Sequence, residues 1–288
     1  MRMPELFGRG EPVFSFEFFL PKTPEDAALL KQTVSDLKRL RPDFVTLTYG
    51  AGGSARERTV EMAGILRNEL ELPTAAHLTC ITHSHEEIAR LLAQIRSQGI
   101  DAIVALRGDL PKDAPVLPLR QRDFKYAADL VRFIRRQDGF SIAVAGYPEK
   151  HPECPSPEED LRHLKEKVEA GADWVITQLF FDNQSYFDFV ARARAAGIQV
   201  PIVPGIMPVT SFTQLQKFTL MCGASLPPAM VAELDPIQDD KEAVVRYGIE
   251  YAARQCRELI EKGAPGIHFY TLNKSRSTAT ILSRLRAS

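Results

Sequence analysis

Eight short apolar segments rich in β-branched and aromatic residues recur along the chain, with helix-like stretches between them. They are VFSFEFF (13–19), FVTLTYG (44–50), TAAHLTC (74–80), DAIVALRG (101–108), SIAVAGY (141–147), DWVITQLFF (173–181), PIVPGIMP (201–208) and GIHFYTL (266–272). Over 288 residues the unit is about 36 residues long. Strands alternating with helices pair in parallel, because each crossover needs a dozen or more residues. Eight such units are the number at which a parallel sheet closes on itself. The sequence therefore predicts an α/β fold, a single-domain (β/α)8 TIM barrel spanning 1–288. The competing architecture, an open doubly wound sheet, usually carries GxGxxG after its first strand. Here the first strand runs into FFLPKTPED.

The intervening stretches carry helix signals of their own. TPEDAALLKQTVSDLKRL opens on Thr23 as N-cap, Pro24 at the first helical position and acids in the first turn. SHEEIARLLAQIRSQG has Ser84 with Glu87 as a capping box and Gly99 as a stop. SPEEDLRHLKEKVEAG repeats the device with Ser156, Pro157, Glu159 and Gly171. Residues 224–240, ASLPPAMVAELDPIQDD, are longer than a plain connection and predict a short extra element before the last long helix.

Composition narrows the function. A formal net charge of −1 gives no bulk attraction to nucleic acid or to a membrane surface. No apolar run approaches the roughly 20 residues that span a bilayer. The start, MRMPELFGRGEP, lacks the form of a signal peptide. Cys80, Cys154, Cys222 and Cys256 are spaced for neither a zinc site nor a CxxC pair, so they read as free thiols in a reducing cytoplasm. No HExxH, nucleophile elbow or P-loop occurs, and no metal is expected.

In a parallel barrel the active site lies at the C-terminal ends of the strands. Polar and aromatic residues collect at that end: Glu17; Thr48 and Tyr49; His77 and Thr79; Arg107 and Asp109; Tyr147, His151 and Glu153; Gln178; Tyr270, Asn273 and Lys274. Glu17 stands out, a lone carboxylate among four phenylalanines in FSFEFF. Strand alternation puts Phe14, Phe16 and Phe18 on one face and Ser15 and Glu17 on the other, inside the barrel. Apolar surroundings are expected to raise its pKa and make it a usable general acid. The residues alone leave the bland alternatives open. Glu17 could pair with Arg107 or Lys274, His77 could be a hydrogen-bonded core histidine, and Arg107 and Asp109 could pair on a turn.

FSFEFF, FVTLTYGAGG, HLTC, ALRGDLP, GYPEKHPE, ITQLFFD, PGIMPVTSF and HFYTLNKS, in this order, resemble the methylenetetrahydrofolate reductase family over roughly residues 13–275. The resemblance implies an FAD-dependent barrel of one-carbon metabolism and methionine biosynthesis. Such an enzyme passes hydride from NADH or NADPH through the flavin to 5,10-methylenetetrahydrofolate, in ping-pong fashion, giving 5-methyltetrahydrofolate. It further implies a cytoplasmic homo-oligomer, dimer or tetramer. Glu17 matches the general acid that protonates the folate's bridging nitrogen. Asp109 matches an aspartate near the flavin that also holds the pterin. Gln178 matches a pterin contact, and Gln214 and Phe218 match positions touching substrate or nicotinamide. FAD-binding positions fall on Thr48, Tyr49, Ala51, His77, Arg107, Gly108, Asp109, Tyr126, Ala127, Tyr147, His151, Asp160 and Lys167. Two departures stand out. Lys274 replaces an arginine that meets the folate and loses its bidentate fork. Glu166 replaces a basic FAD contact and leaves Lys167 to carry the diphosphate charge. A pterin-binding methyltransferase barrel and a non-catalytic barrel are the rival readings.

Overall fold

The structure is a computed structural model and describes residues 2–49, 53–110, 117–137 and 139–287. After a short helix α1 (Met3–Leu6), strands and helices alternate: β1 (Val13–Phe18), α2 (Pro24–Lys38), β2 (Phe44–Leu47), α3 (Gly53–Gly64), β3 (Thr74–Thr79), α4 (His85–Ser97), β4 (Ala102–Leu106), α5 (Ala127–Arg135), β5 (Ser141–Gly146), α6 (Pro157–Glu169), β6 (Trp174–Thr177) and α7 (Asn183–Ala195). Then come β7 (Ile202–Val203), β8 (Gly205–Ile206), α8 (Phe212–Cys222), α9 (Pro228–Leu234), α10 (Lys241–Glu261), β9 (Gly266–Tyr270) and α11 (Arg276–Ala287). Among the described residues every strand pairing is parallel, in the order β7-β6-β5-β4-β3-β2-β1-β9-β8. This is the TIM barrel that the alternation predicts.

The ring closes through a broken stave, and here the structure corrects the expected continuous strand over 201–208. β7 pairs with β6, and β8 pairs with β9. Pro204 lies between the two halves and has no N–H to continue the ladder. Its carbonyl still accepts from the His268 amide at 2.9 Å. The Gly205 amide turns aside to the Thr177 hydroxyl at 3.0 Å.

Side-chain alternation sorts each strand into two layers. Phe14, Phe16 and Phe18 join the cluster between barrel and helices, with Leu30, Val34 and Leu37 of α2 and Ile281 and Leu282 of α11. Each fully buried side chain of this size contributes about 1.5–3 kcal/mol relative to exposure. The opposite faces fill the barrel. At its N-terminal end Val13, Phe44, Ala75, Ala102, Ala143 and Trp174 form a floor capped by Met3, Leu6 and Phe7. Trp174 lies 6.2 Å from the rings of both Phe7 and Phe44. The plugging helix α1 carries no sequence pattern long enough to announce it.

Local signals hold where the chain supplies its own partners. The Thr23 hydroxyl accepts from the Asp26 amide at 3.1 Å, and Asp26 returns the bond to the Thr23 amide. Ser84 and Glu87 form the expected reciprocal pair. Ser156 caps α6 through the Glu159 amide. The 224–240 segment contains α9 and a 3-10 turn, Asp235–Ile237. All four cysteines are free thiols. No helix among the described residues is long and apolar enough to cross a membrane.

Closure at the broken stave leaves no room beside Gly205. An added Cβ would lie 2.3 Å from the Thr177 carbonyl oxygen and 2.6 Å from the Tyr270 ring. Gly205→Ala should therefore destabilise the fold by about 1–3 kcal/mol, the usual cost of overpacking. The urea midpoint at constant m-value measures it. An unchanged midpoint would show that the broken stave shifts freely.

Candidate active site

The strands end one to four residues earlier than sequence patterning suggests, and the residues that follow turn over the barrel mouth. Thr48, Tyr49, Arg107, Tyr147 and Gln178 all lie just past the last paired residue of their strand. Two adjoining cavities form there. One, of about 350 Å3, sits over the barrel axis and is lined by Glu17, Thr48, Tyr49, His77, Tyr147, Gln178 and Phe218, among others. The other, of about 390 Å3, lies between the ends of β4 and β5 and helices α5 and α6. Arg107, Tyr126, Ala127, Tyr147, His151, Asp160 and Lys167 line it. Leu106, Ala145 and Tyr147 belong to both.

Glu17 reaches the axial cavity from inside the barrel, with its side chain 11% exposed. Its expected partners, Arg107 and Lys274, are not there. Oε2 instead lies 3.3 Å from His77 Nε2, 3.4 Å from His268 Nε2 and 3.5 Å from the Thr46 hydroxyl. This corrects the expected direction of its pKa. Burial is the largest single influence and would raise it. The charge of the adjacent His77, whose Nε2 makes no hydrogen bond, and the hydrogen bond from His268 are the main influences that outweigh burial and bring Glu17 down to about 2. His77 is thus a partner of the carboxylate rather than a self-satisfied core histidine. His268, fully buried, was not singled out by sequence. One signal could have found it. It lies two residues before Tyr270, so it shares that residue's inward face.

Other axial groups are fixed by backbone. The Gln178 amide oxygen accepts from the Leu179 amide at 2.9 Å. Tyr270 donates its hydroxyl to the Thr177 carbonyl at 2.7 Å. The Tyr49 hydroxyl lies 2.9 Å from His83 Nε2. Burial and the nearby Arg56 charge hold the His83 pKa down, at about 4. Gly108 adopts φ +86°, and a Cβ there would lie 2.8 Å from the Thr79 side chain, so the turn after β4 requires glycine.

The second cavity mixes charges. Arg107 pairs with Glu153 at 2.7 Å, rather than with Asp109 on the turn. Burial lowers the Lys167 ammonium pKa to about 8, against the opposing pull of the Asp160 carboxylate. Its Nζ donates to the Ala145 carbonyl. Burial raises the Asp160 carboxyl. Glu166 is not a bare negative charge, because it pairs with Arg162 and lies 3.3 Å from His163 Nδ1. His163 also lines the cavity and stacks on Tyr126, with centroids 5.8 Å apart. It is a second group that sequence reading missed. Lys167 is therefore not the sole basic group beside Glu166.

Several predicted residues lie outside both cavities. Asp109 is exposed on the turn after β4. Gln214 is half-buried in the first turn of α8, its backbone N–H donating to the Ser211 hydroxyl. Lys274 is exposed beyond β9. Ala51 falls outside the described residues. Asn273 has a structural task, since its amide bonds both the N–H and the carbonyl of Phe19.

Comparison with known proteins places this geometry in a lineage. The family model described as "Methylenetetrahydrofolate reductase" matches residues 2–286. "5,10-Methylenetetrahydrofolate reductase" of Escherichia coli (strain K12) is 40% identical over 277 residues, covering 96% of this chain and 92% of that protein. "Methylenetetrahydrofolate reductase (NADH) 1" of Arabidopsis thaliana is 40% identical over 288 residues, covering 96% of this chain and 49% of that protein. The chain thus spans about half the length of the plant relatives it matches. Among solved structures, an uncharacterized Clostridium thermocellum protein that binds two copies of 5-methyl-5,6,7,8-tetrahydrofolic acid superposes with a TM-score of 0.70 over the whole of both chains. At 16% identity it shares the fold. The family match across nearly all the chain, with relatives at this identity, shows that the chain belongs to the methylenetetrahydrofolate reductase family.

Proposed function

We propose that this chain reduces 5,10-methylenetetrahydrofolate to 5-methyltetrahydrofolate with NADH or NADPH, through a bound FAD. One observation carries the reading. A buried acidic side chain, Glu17, lines an axial cavity that opens beside a second cavity equipped for an anion.

The residues present suit FAD. Arg107, Lys167, His151 and His163 offer cationic or donor groups for a diphosphate. The first turn of α5, from Ala127, adds a helix N-terminus on the same wall. Lys167 suits an anionic guest, because among the described residues its half-buried ammonium has Asp160 as its one charge partner. Leu106, Ala145 and Tyr147 give the shared wall on which a flat ring system would lie. When bound, the flavin would supply the relay that takes hydride from the nicotinamide and passes it to the folate.

The chain's own residues supply the rest. Glu17 would protonate the bridging nitrogen of the folate, opening the five-membered ring to an iminium ready for hydride. Gln178 has its oxygen tied to the Leu179 amide, which leaves its NH2 for a pterin edge. Phe218 and Met207 give the same cavity an apolar wall. Asp109, exposed near the mouth, would meet ligand only once the mouth is filled.

Three outcomes test this reading. Purified protein reconstituted with FAD should show a flavin absorption spectrum that bleaches on anaerobic addition of NADH or NADPH. A protein that takes up no flavin would instead fit a pterin-binding barrel without a redox step.

Glu17→Gln should cut methylenetetrahydrofolate reduction by about 10²–10⁴-fold, the usual share of a general acid. Stopped-flow flavin reduction by the nicotinamide should keep its rate, since that transfer needs no proton from Glu17. Equal damage to both half-reactions would make Glu17 a scaffold for the site.

FAD affinity should also depend on pH. The unliganded Lys167 is cationic below about 8 and loses its proton above it. A diphosphate favours the charged form, so binding takes up a proton at higher pH and weakens as pH rises through 8. The loss should reach about tenfold per pH unit at most, as one linked proton allows. Titration of the apoprotein with FAD measures this, and Lys167→Met should flatten the dependence. A wild-type affinity constant from pH 7 to 9.5 would remove Lys167 from the diphosphate site.

A further inference from the structure

The loop between β5 and α6 faces two ways. On one side His151, Cys154 and Pro155 line the second cavity. On the other, Glu149 reaches the segment that follows α8. Its Oε2 accepts the Ser225 N–H at 3.0 Å and the Ser225 hydroxyl as well. No other residue among those described bonds to the Glu149 carboxylate, and its Oε1 is buried without a partner. The loop itself is stiff. Lys150 stands at φ +79°, a backbone shape that residues other than glycine seldom adopt, and its Nζ donates to the carbonyls of His151 at 3.1 Å and Cys154 at 2.7 Å. The Pro148 carbonyl accepts from Arg192 of α7 at 3.3 Å. Glu149 is therefore a fixed post.

The post holds the less supported end of a helix. Three of the eleven residues of α8 are buried, Phe212, Leu215 and Thr219, along one stripe. Its N-terminus has its own cap, the Ser211 hydroxyl accepting the Gln214 N–H at 3.3 Å. In its last turn Leu220 is 86% and Met221 64% exposed. Yet that end brings Phe218, Met221 and Cys222 to the axial cavity. Its support comes from the β5–α6 loop. A Cβ at Gly223 would lie 3.1 Å from the Pro152 side chain, and two residues further on Ser225 makes its two bonds to Glu149. Charge-assisted hydrogen bonds are about twice as strong as neutral ones, so these two bonds are a firm anchor. A half-buried carboxylate that lost them would lose its partner as well.

We propose that Glu149 is a positioning residue for the reductase: by holding Ser225 it seats the C-terminal end of α8 at the rim of the axial cavity, and so sets how tightly that cavity takes the folate and the nicotinamide. The proposal rests on the reductase reading above. Glu149 lines neither cavity itself. It acts through Phe218 and Met221, which give the axial cavity an apolar wall for a flat ring. With this end of α8 freed, that wall would stand away from the rim and cover less of the ligand, so the loss falls on binding. The reacting groups keep their places, because Glu17 stands on β1 and Gln178 follows β6. The second cavity keeps its wall too, because Lys150 holds the turn from His151 to Cys154 without help from Glu149.

The test uses the FAD-loaded protein, Glu149→Ala, Ser225→Ala and the double variant. Binding of 5-methyltetrahydrofolate is followed by the flavin absorbance, and stopped-flow flavin reduction gives the dependence on nicotinamide concentration. Glu149→Ala should weaken folate binding and raise the half-saturating nicotinamide concentration by about tenfold, the order of one hydrogen bond to a charged group. Flavin reduction at saturating nicotinamide and the affinity for FAD should both stay within about twofold, since a loss of uniform binding leaves the chemical step alone. Ser225→Ala keeps the backbone bond and should act the same way by less. The double variant should be no worse than Glu149→Ala, because the two side chains serve one contact. The second readout needs no ligand. Cys222 lies at the freed end of α8, so its reaction with a thiol reagent, located by mass spectrometry, should quicken in each variant, while that of Cys154 beside the second cavity keeps its rate. Affinity for FAD falling together with that for folate, additive losses in the double variant, or unchanged labelling of Cys222 would overturn the proposal. If Glu149→Ala does not fold, Ser225→Ala decides on folate affinity and labelling. A wild type that takes up no flavin, yet whose variants label faster at Cys222, would sink the reductase reading and leave the hold of Glu149 on α8 standing.

Discussion

Two residues on either side of Pro204 carry the bonds that close this barrel. Ile202 and Val203 join β6, while Gly205 and Ile206 join β9. Without both halves the sheet would stay open between β6 and β9, and the strand ends would not converge on one mouth. The break sets the site as well as the ring. The Gly205 amide is freed from the ladder and binds the Thr177 hydroxyl, and the Thr177 carbonyl receives Tyr270. Tyr270 in turn stands edge-on to His268, with centroids 5.4 Å apart. The closure and the surroundings of Glu17 are thus one connected piece of structure.

The barrel places its polar groups by register. Ser15 is directly paired with His268, and Glu17 with Thr46 and Tyr270. Side chains at one level of a parallel barrel come from alternate strands and point inward together. A carboxylate at that level meets whatever the neighbouring strands offer, and here they offer imidazoles. The cost of burying Glu17 is offset inside the barrel, so Arg107 is left to pair with Glu153 at the edge of the second cavity. The site therefore holds two groups of charged side chains, the Glu17 carboxylate with its histidine neighbours on the axis and Arg107, Glu153, Asp160 and Lys167 beside it.

What could be read in the sequence follows the range of the forces involved. Caps such as Thr23–Asp26 and Ser84–Glu87 are formed within four residues, so the sequence displays them whole. The alternation in FSFEFF is equally local, and it placed Glu17 inside correctly. Its ionisation was misjudged because the histidines that decide it are 60 and 251 residues away, and only register brings them to Oε2. The break at Pro204 was visible as a proline, but its use in closing the ring depends on two partner strands. His163 escaped notice because its acidic neighbours at i−4 and i+3, Glu159 and Glu166, are those of a solvated helix face, while the cavity beside it is built by β4 and β5.

The floor of the barrel has a spectroscopic consequence. Trp174 is the single tryptophan of the chain, fully buried between Phe7 and Phe44 at the end away from the mouth. Its emission wavelength is therefore a private signal of whether the floor is sealed. Chemistry at the mouth leaves that wavelength alone, whereas water reaching the indole would move it to the red. Loosening of α1 and opening of the ring would each show there, so one optical channel can follow the barrel's integrity while absorbance follows events at the other end.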